Sequence, residues 1–109
     1  MPRDHKVYLE DILAAIEKIQ AFTRGSTKDS FARDAKTFDA VIRNLEVIGE
    51  AAKQIPEDVR SKLTSIPWKE ICGLRDVLIH QYFGVEVDTL WDIVQNELPH
   101  LKEQIQNFK

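Results

Sequence analysis

Residues 34–55 read DAKTFDAVIRNLEVIGEAAKQI and are followed by Pro56. Phe38, Val41, Ile42, Leu45, Ile48, Ala52 and Ile55 recur at helical spacing, forming one apolar stripe along an otherwise polar segment. The pattern predicts a long helix from about Asp34 to Gln54. Pro56 ends it, because proline disfavours helical geometry in the residue before it. Gly49, Ala51 and Ala52 are small enough for another helix to approach closely.

The same periodicity continues on both sides. Leu9, Ile12, Leu13, Ile16, Ile19 and Phe22 form a second stripe, broken at Thr23–Thr27 with Gly25 as a C-terminal cap. A short turn is expected around Asp29–Arg33. After Pro56 comes a short helix, and Ser65-Ile66-Pro67 opens another that carries Trp68, Ile71, Leu74, Leu78 and Tyr82. Cys72, Val77 and Ile79 lie elsewhere on that helix, so it is expected to be buried on more than one side before Gly84 ends it. Asp88 is expected to cap a last helix bearing Leu90, Trp91, Val94, Leu98, Leu101, Ile105 and Phe108, with Pro99 the point of a kink or restart. Sustained alternation and hairpin turns are missing. The expected fold is all-α: an up-and-down bundle of four main helices with short accessory ones.

The chain has 109 residues and 12.6 kDa, so residues 1–109 are read as a single domain. Size scaling gives roughly 6,200 Å² of folded surface against about 18,000 Å² unfolded, enough burial for a core without disulfides or metal. With 43% hydrophobic and 30% charged residues, wholesale disorder is excluded. The longest stretch without Asp, Glu, Lys or Arg is the nine residues Val77–Val85, too short to span a bilayer. Cys72 has no intramolecular disulfide partner, and the charged start Met1-Pro2-Arg3-Asp4-His5-Lys6 does not read as a signal peptide. A cytoplasmic location is expected. The net charge of −3 argues against a general nucleic-acid coat, so any such contact must be local, through a few assembled cations.

The densest reactive cluster is Arg75-Asp76-Val77-Leu78-Ile79-His80-Gln81-Tyr82, near the end of the most apolar helix. Arginine's planar fork suits a phosphate, and histidine exchanges protons near neutral pH. Asp76 stands four residues before His80, where it can orient the imidazole. Arg75 and His80 are about 140° apart on an ideal helix, so they converge only through reach, distortion or a partner subunit. The same residues also fit a surface ion pair with a capping histidine. His5 lies in a terminal segment and His100 among charges, and neither joins a recognised metal-ligand spacing. Cys72 reads as a small core residue. Asn44 and Glu50 flank the small-residue patch, either as polar members of a site or as solvated groups at a helix crossing.

Three blocks carry a family resemblance: Arg43-Asn44-Leu45-Glu46-Val47-Ile48-Gly49-Glu50-Ala51, Ile66-Pro67-Trp68-Lys69-Glu70-Ile71, and Arg75 through Val85 with the arginine, four residues, histidine, one residue, tyrosine pattern. In this order they closely resemble the HepT-like toxins of the HEPN superfamily, from about Asp4 to the C-terminus. The resemblance implies a dimeric all-α fold with the motifs of both subunits lining a shared cleft. It implies a metal-independent endoribonuclease that needs no cofactor, the toxin of a toxin–antitoxin pair. The antitoxin it implies is a minimal nucleotidyltransferase that adds AMP to the motif tyrosine. Carried over by position, Arg75 and His80 match the catalytic pair, Tyr82 the modified tyrosine, and Asp76 the polar position after the arginine. Asn44 and Glu50 are taken as supporting residues.

Such chemistry uses the RNA's own 2′-hydroxyl as nucleophile, with His80 moving protons and Arg75 stabilising charge. RNA is thus the expected substrate, with neither DNA nor a membrane as a partner. Two other readings fit the fold equally: a non-enzymatic helical binding partner of a nucleotidyltransferase or nucleotide, and a structural dimer with a polar register-setting cluster.

Overall fold

Asp34 separates two helices and caps both. In the computed structural model, which describes residues 4–80 and 87–108 and the side chains of all of these except residues 75–80, α2 (Lys28–Arg33) ends at Asp34 and α3 (Ala35–Lys53) begins there. The Asp34 carboxylate accepts the Thr37 backbone N–H at 3.1 Å and its hydroxyl at 2.6 Å. The side-chain bond from Thr37, then the backbone bond, holds this carboxyl below the ordinary aspartate value.

Helix α3 buries Val41, Ile42, Leu45, Ile48 and Ala52, the stripe expected of it, and also Gly49 and Ala51. It packs between α1 (His5–Thr23) and α5 (Trp68–His80), so both faces of the central helix are covered. Asp4 starts α1 by accepting the Lys6 N–H at 2.9 Å, before the first apolar residue of the stripe. At the other end the stripe departs from expectation. Phe22 is 44% exposed, whereas Thr23 is buried and donates its hydroxyl to the Ile19 carbonyl at 2.8 Å. The core face continues by the four-residue step from Ile19 to Thr23, which leaves Phe22 turned aside. Gly25 does terminate the segment, with φ +79° that a side chain rarely adopts.

The segment expected to be a turn at Asp29–Arg33 is α2, a helix. Thr27 and Ser30 form reciprocal caps at its start, so even six residues hold a helical turn. Its Phe31 is fully buried, with ring centroids 5.4 Å from Phe38 and 5.3 Å from Trp91. One aromatic side chain thereby joins α2, α3 and α6 (Val87–Asp92).

The C-terminal helix begins at Val87, so Asp88 lies in its first turn and does not cap it; its carboxylate is 3.2 Å from Lys28 Nζ. The expected restart at Pro99 takes the form of a π segment, Ile93–Glu97, between α6 and α7 (Leu98–Phe108). Leu98 donates to the Ile93 carbonyl, five residues back. The wider turn relieves the clash that a proline ring makes with the carbonyl four residues before it. Leu90, Val94, Leu98, Leu101 and Ile105 close the core from this side. The described residues contain no strand, and the all-α bundle expected from the sequence is the observed fold.

Between α3 and α5 the chain passes through α4 (Glu57–Arg60), whose last residue is a structural clasp. Arg60 donates from Nε to the Ile55 carbonyl and from Nη2 to the Ala52 carbonyl, both at 2.9 Å. Its guanidinium carbon also stands 5.6 Å from the Trp68 ring centroid, and Trp68 Nε1 donates to the Leu63 carbonyl at 3.1 Å. Arg60→Ala removes both bonds from the end of α3 and should destabilise the fold by about 2–3 kcal/mol in urea unfolding. Arg60→Lys should recover little of this, because an ammonium cannot serve both carbonyls with a planar fork.

Candidate active site on helix α5

The start of α5 is fixed before its functional end begins. Pro67 precedes Trp68 at the first helical position, and Ile66 just ahead is buried. Ile71, Cys72 and Leu74 are half-buried and pack against the core. From there the backbone continues as helix to His80, carrying Arg75, Asp76 and His80 on its last turns. Helical register puts Asp76 and His80 about 40° apart on one face, and Arg75 and His80 about 140° apart. The side chains of these three residues lie outside the described part of the molecule, as does the whole of Tyr82.

The two supporting candidates on α3 do not meet. Asn44 is half-buried and donates Nδ2 to the Ala40 carbonyl at 2.9 Å, which uses one of its two amide hydrogens. Glu50 is exposed and lines a shallow depression of about 470 Å³ together with Tyr8 and Asp11 of α1. The six-residue separation turns them about 120° apart on α3. Glu50 therefore belongs to the α1 side of the central helix.

Along its other flank α5 borders a groove of about 540 Å³ facing α6 and α7. Ile48, Ile71, Leu74 and Leu101 line it, while Glu70, Asp92 and Glu97 supply carboxylates. An apolar groove with an acidic rim is unsuited to a phosphate chain and suited to protein contact. Among the described residues no group of His, Cys, Asp or Glu has the geometry of a metal site. Cys72 is only half-buried, and its sulfur accepts from Arg60 Nη2 at 3.5 Å, so it is less a core residue than expected.

An all-α bundle in which the helix carrying the arginine–histidine spacing packs on the central helix α3 agrees with the comparison by family. The model of the HepT-like ribonucleases matches residues 12–108. The chain belongs to the HepT-like ribonuclease family. A "Probable ribonuclease HepT" from Thermococcus cleftensis is 50% identical over 100% of this chain and 99% of its own length. A "Putative RNase" from Methanocaldococcus jannaschii is 48% identical over 99% of this chain and 90% of its own length. Another from the same organism, "Gamma-glutamylcyclotransferase and putative RNase", is 46% identical over 96% of this chain, which spans only 47% of that protein. No solved structure matches the chain.

The enzyme class read from the motif is thus that of the family, and no described helix is long and apolar enough to cross a membrane. Sequence reasoning missed Arg60, the residue that ties the HepT-like motif helix to α3. The signal was present in principle: an arginine one turn after a proline-terminated helix can reach back to the carbonyls at that helix end.

Proposed function

We propose that this HepT-like chain is a metal-independent endoribonuclease and the toxin of a toxin–antitoxin pair, with Arg75 and His80 acting in a cleft shared by two copies. The observation that carries the reading is one helix, anchored on α3 and Trp68, that holds the whole arginine–histidine pattern in a family of ribonucleases.

In this reaction the 2′-oxygen of a ribose attacks the adjacent phosphorus while the bond to the 5′-oxygen breaks. The 2′-hydroxyl proton passes to a base, and the leaving 5′-oxygen receives a proton. The products are a 2′,3′-cyclic phosphate and a 5′-hydroxyl end. A histidine performs either proton transfer according to its charge, and two copies supply two of them. Arg75 stabilises the charge that grows on the phosphate oxygens. Asp76, one turn before His80, orients the imidazole; Asn44 supports the polar surface around the cleft, and Glu50, on the α1 side of α3, stands apart from it. DNA lacks the attacking 2′-hydroxyl and is not a substrate. The reaction belongs in the cytoplasm and needs no cofactor.

The dimer forms through α5, whose half-buried Ile71 and Leu74 already border the apolar groove. Light scattering should give twice the 12.6 kDa chain mass, and Leu74→Glu should shift it toward the monomer. Arg75→Ala and His80→Ala should each lower chelator-resistant RNA cleavage by about 10²–10⁴ while the protein stays folded. Full activity in either soluble variant removes that residue from the mechanism.

Neutralisation is assigned to a minimal nucleotidyltransferase that transfers AMP to Tyr82. The added phosphate would stand near Arg75 in sequence and compete for the place of the RNA phosphate. Co-expression with the partner and ATP should raise the mass by whole AMP units and suppress cleavage, with Tyr82→Phe unmodified. An unmodified Tyr82 in a fully inhibited complex assigns inhibition to binding alone.

A further inference from the structure

The outer face of α5 has a feature that the arginine–histidine motif leaves unused. Lys69 is exposed, and helical register puts Gly73, Asp76 and His80 within about 40° of it. These residues form a stripe along α5, with Lys69 at one end and the motif histidine about 16 Å away at the other. Gly73 sits at its middle. A glycine inside a helix costs about 1 kcal/mol relative to alanine, so its presence calls for a reason. Packing among the described residues supplies none: a Cβ built at Gly73 meets nothing within 4 Å of them, and no left-handed backbone requires glycine there. The notch leaves room for a chain from outside to lie close to the helix.

At the Lys69 end the stripe opens into a depression of about 640 Å³ between α4 and α5. Ser61 and Thr64 border it with exposed polar side chains, and Trp68 with Arg60 over its ring forms one wall. Aromatic rings and guanidinium planes are the surfaces on which unpaired bases stack. Two carbonyl oxygens and the Cys72 sulfur, and no carboxylate among the described residues, hold the Arg60 guanidinium, so its charge remains available to the site. Within the depression Arg60 and Lys69 outweigh Glu57, the carboxylate that lines it, while Asp76, the carboxylate of the stripe, lies at the motif end. This is a local cationic spot on an acidic chain, on the flank of α5 away from the carboxylate-rimmed groove.

We propose that Lys69, the Gly73 notch and the Arg60–Trp68 depression form a distal subsite for single-stranded RNA. Lys69 holds a backbone phosphate, the strand crosses α5 at Gly73, and a base a few nucleotides from the scissile bond enters the depression. The inference rests on the ribonuclease reading above for the nature of its ligand, but its first test reads binding, not cleavage.

Fluorescence anisotropy with a labelled single-stranded RNA 12-mer, on a His80→Ala background that keeps the RNA intact, measures the site directly. Lys69→Glu should weaken binding roughly tenfold, and Lys69→Ala should lower the salt slope of log K by about 0.7, the value of one single-strand phosphate contact. Lys69→Arg should restore both. On the native background, Lys69→Glu should lower the ratio of 12-mer to dinucleotide cleavage through KM, since a dinucleotide cannot reach the depression. Gly73→Ala should keep or raise the melting temperature while weakening RNA binding. Unchanged affinity and salt slope in Lys69→Glu overturns the subsite. Dissociation of the oligomer by Gly73→Ala also overturns it, because the notch then receives a second copy of the chain. RNA binding that depends on Lys69 without any cleavage by the native protein keeps the subsite and sinks the ribonuclease reading instead.

Discussion

The geometry of the motif helix depends on one guanidinium. Arg60 reaches back to the carbonyls of Ala52 and Ile55, at and just beyond the end of α3, and its guanidinium carbon lies over the ring of Trp68, the first residue of α5. A helix end leaves its last carbonyls without partners inside the helix. Here backbone bonds from Gln54 and Ile55 reach the Ala52 carbonyl. A side chain from the next segment adds a further donor to it and one to the Ile55 carbonyl, while lying over the ring that begins the following helix. The end of α3, α4 and the start of α5 are therefore one unit. Because Trp68 also donates to the Leu63 carbonyl, the ring cannot turn away without giving up a hydrogen bond. Everything beyond Trp68 on α5, the arginine and histidine included, takes its direction from this junction and from packing on α3.

The same helix divides charge between its two flanks. Toward α6 and α7 it borders apolar side chains rimmed by Glu70, Asp92 and Glu97. Toward α4 it carries Lys69 beside Arg60. A net charge of −3 averages over these and hides the difference. Surface charges act over about one Debye length, roughly 8 Å at physiological salt, so each flank presents its own sign to what approaches it. In the proposed subsite an RNA strand is repelled on one side of α5 and attracted on the other.

Helix existence was legible in the sequence because burial imposes a period, and α1, α3, α5 and the C-terminal helix all follow one. What periodicity could not show is where a side chain serves two elements at once. Phe31 sits in a six-residue helix too short to display a stripe, yet it is fully buried between Phe38 and Trp91. Phe22 continues the hydrophobic pattern by composition, but geometry gives the buried place to Thr23, whose hydroxyl is satisfied by the Ile19 carbonyl. Proline at position 99 announced an irregularity without saying which kind; the π segment is one of several remedies for the same clash. Of the site, the helix and the motif spacing were legible, and so was the family. Arg60 was not, since its partners are carbonyls, which no sequence pattern reveals.

The 140° between Arg75 and His80 has a structural meaning once the rest of α5 is placed. Arg75 follows Ile71 by one turn, on the side where the half-buried apolar residues lie, whereas His80 shares the stripe of Lys69 and Gly73. A phosphate is too small to be gripped from both sides of one helix. A second α5 meeting the first across a two-fold axis changes the geometry, because the arginine side of one copy can then face the histidine side of the other. In the proposed dimer this brings charge stabilisation and proton transfer to a single phosphate without distortion of either helix. It also leaves Lys69 of each copy on the outer end of its own stripe, where a strand leaving the cleft would pass.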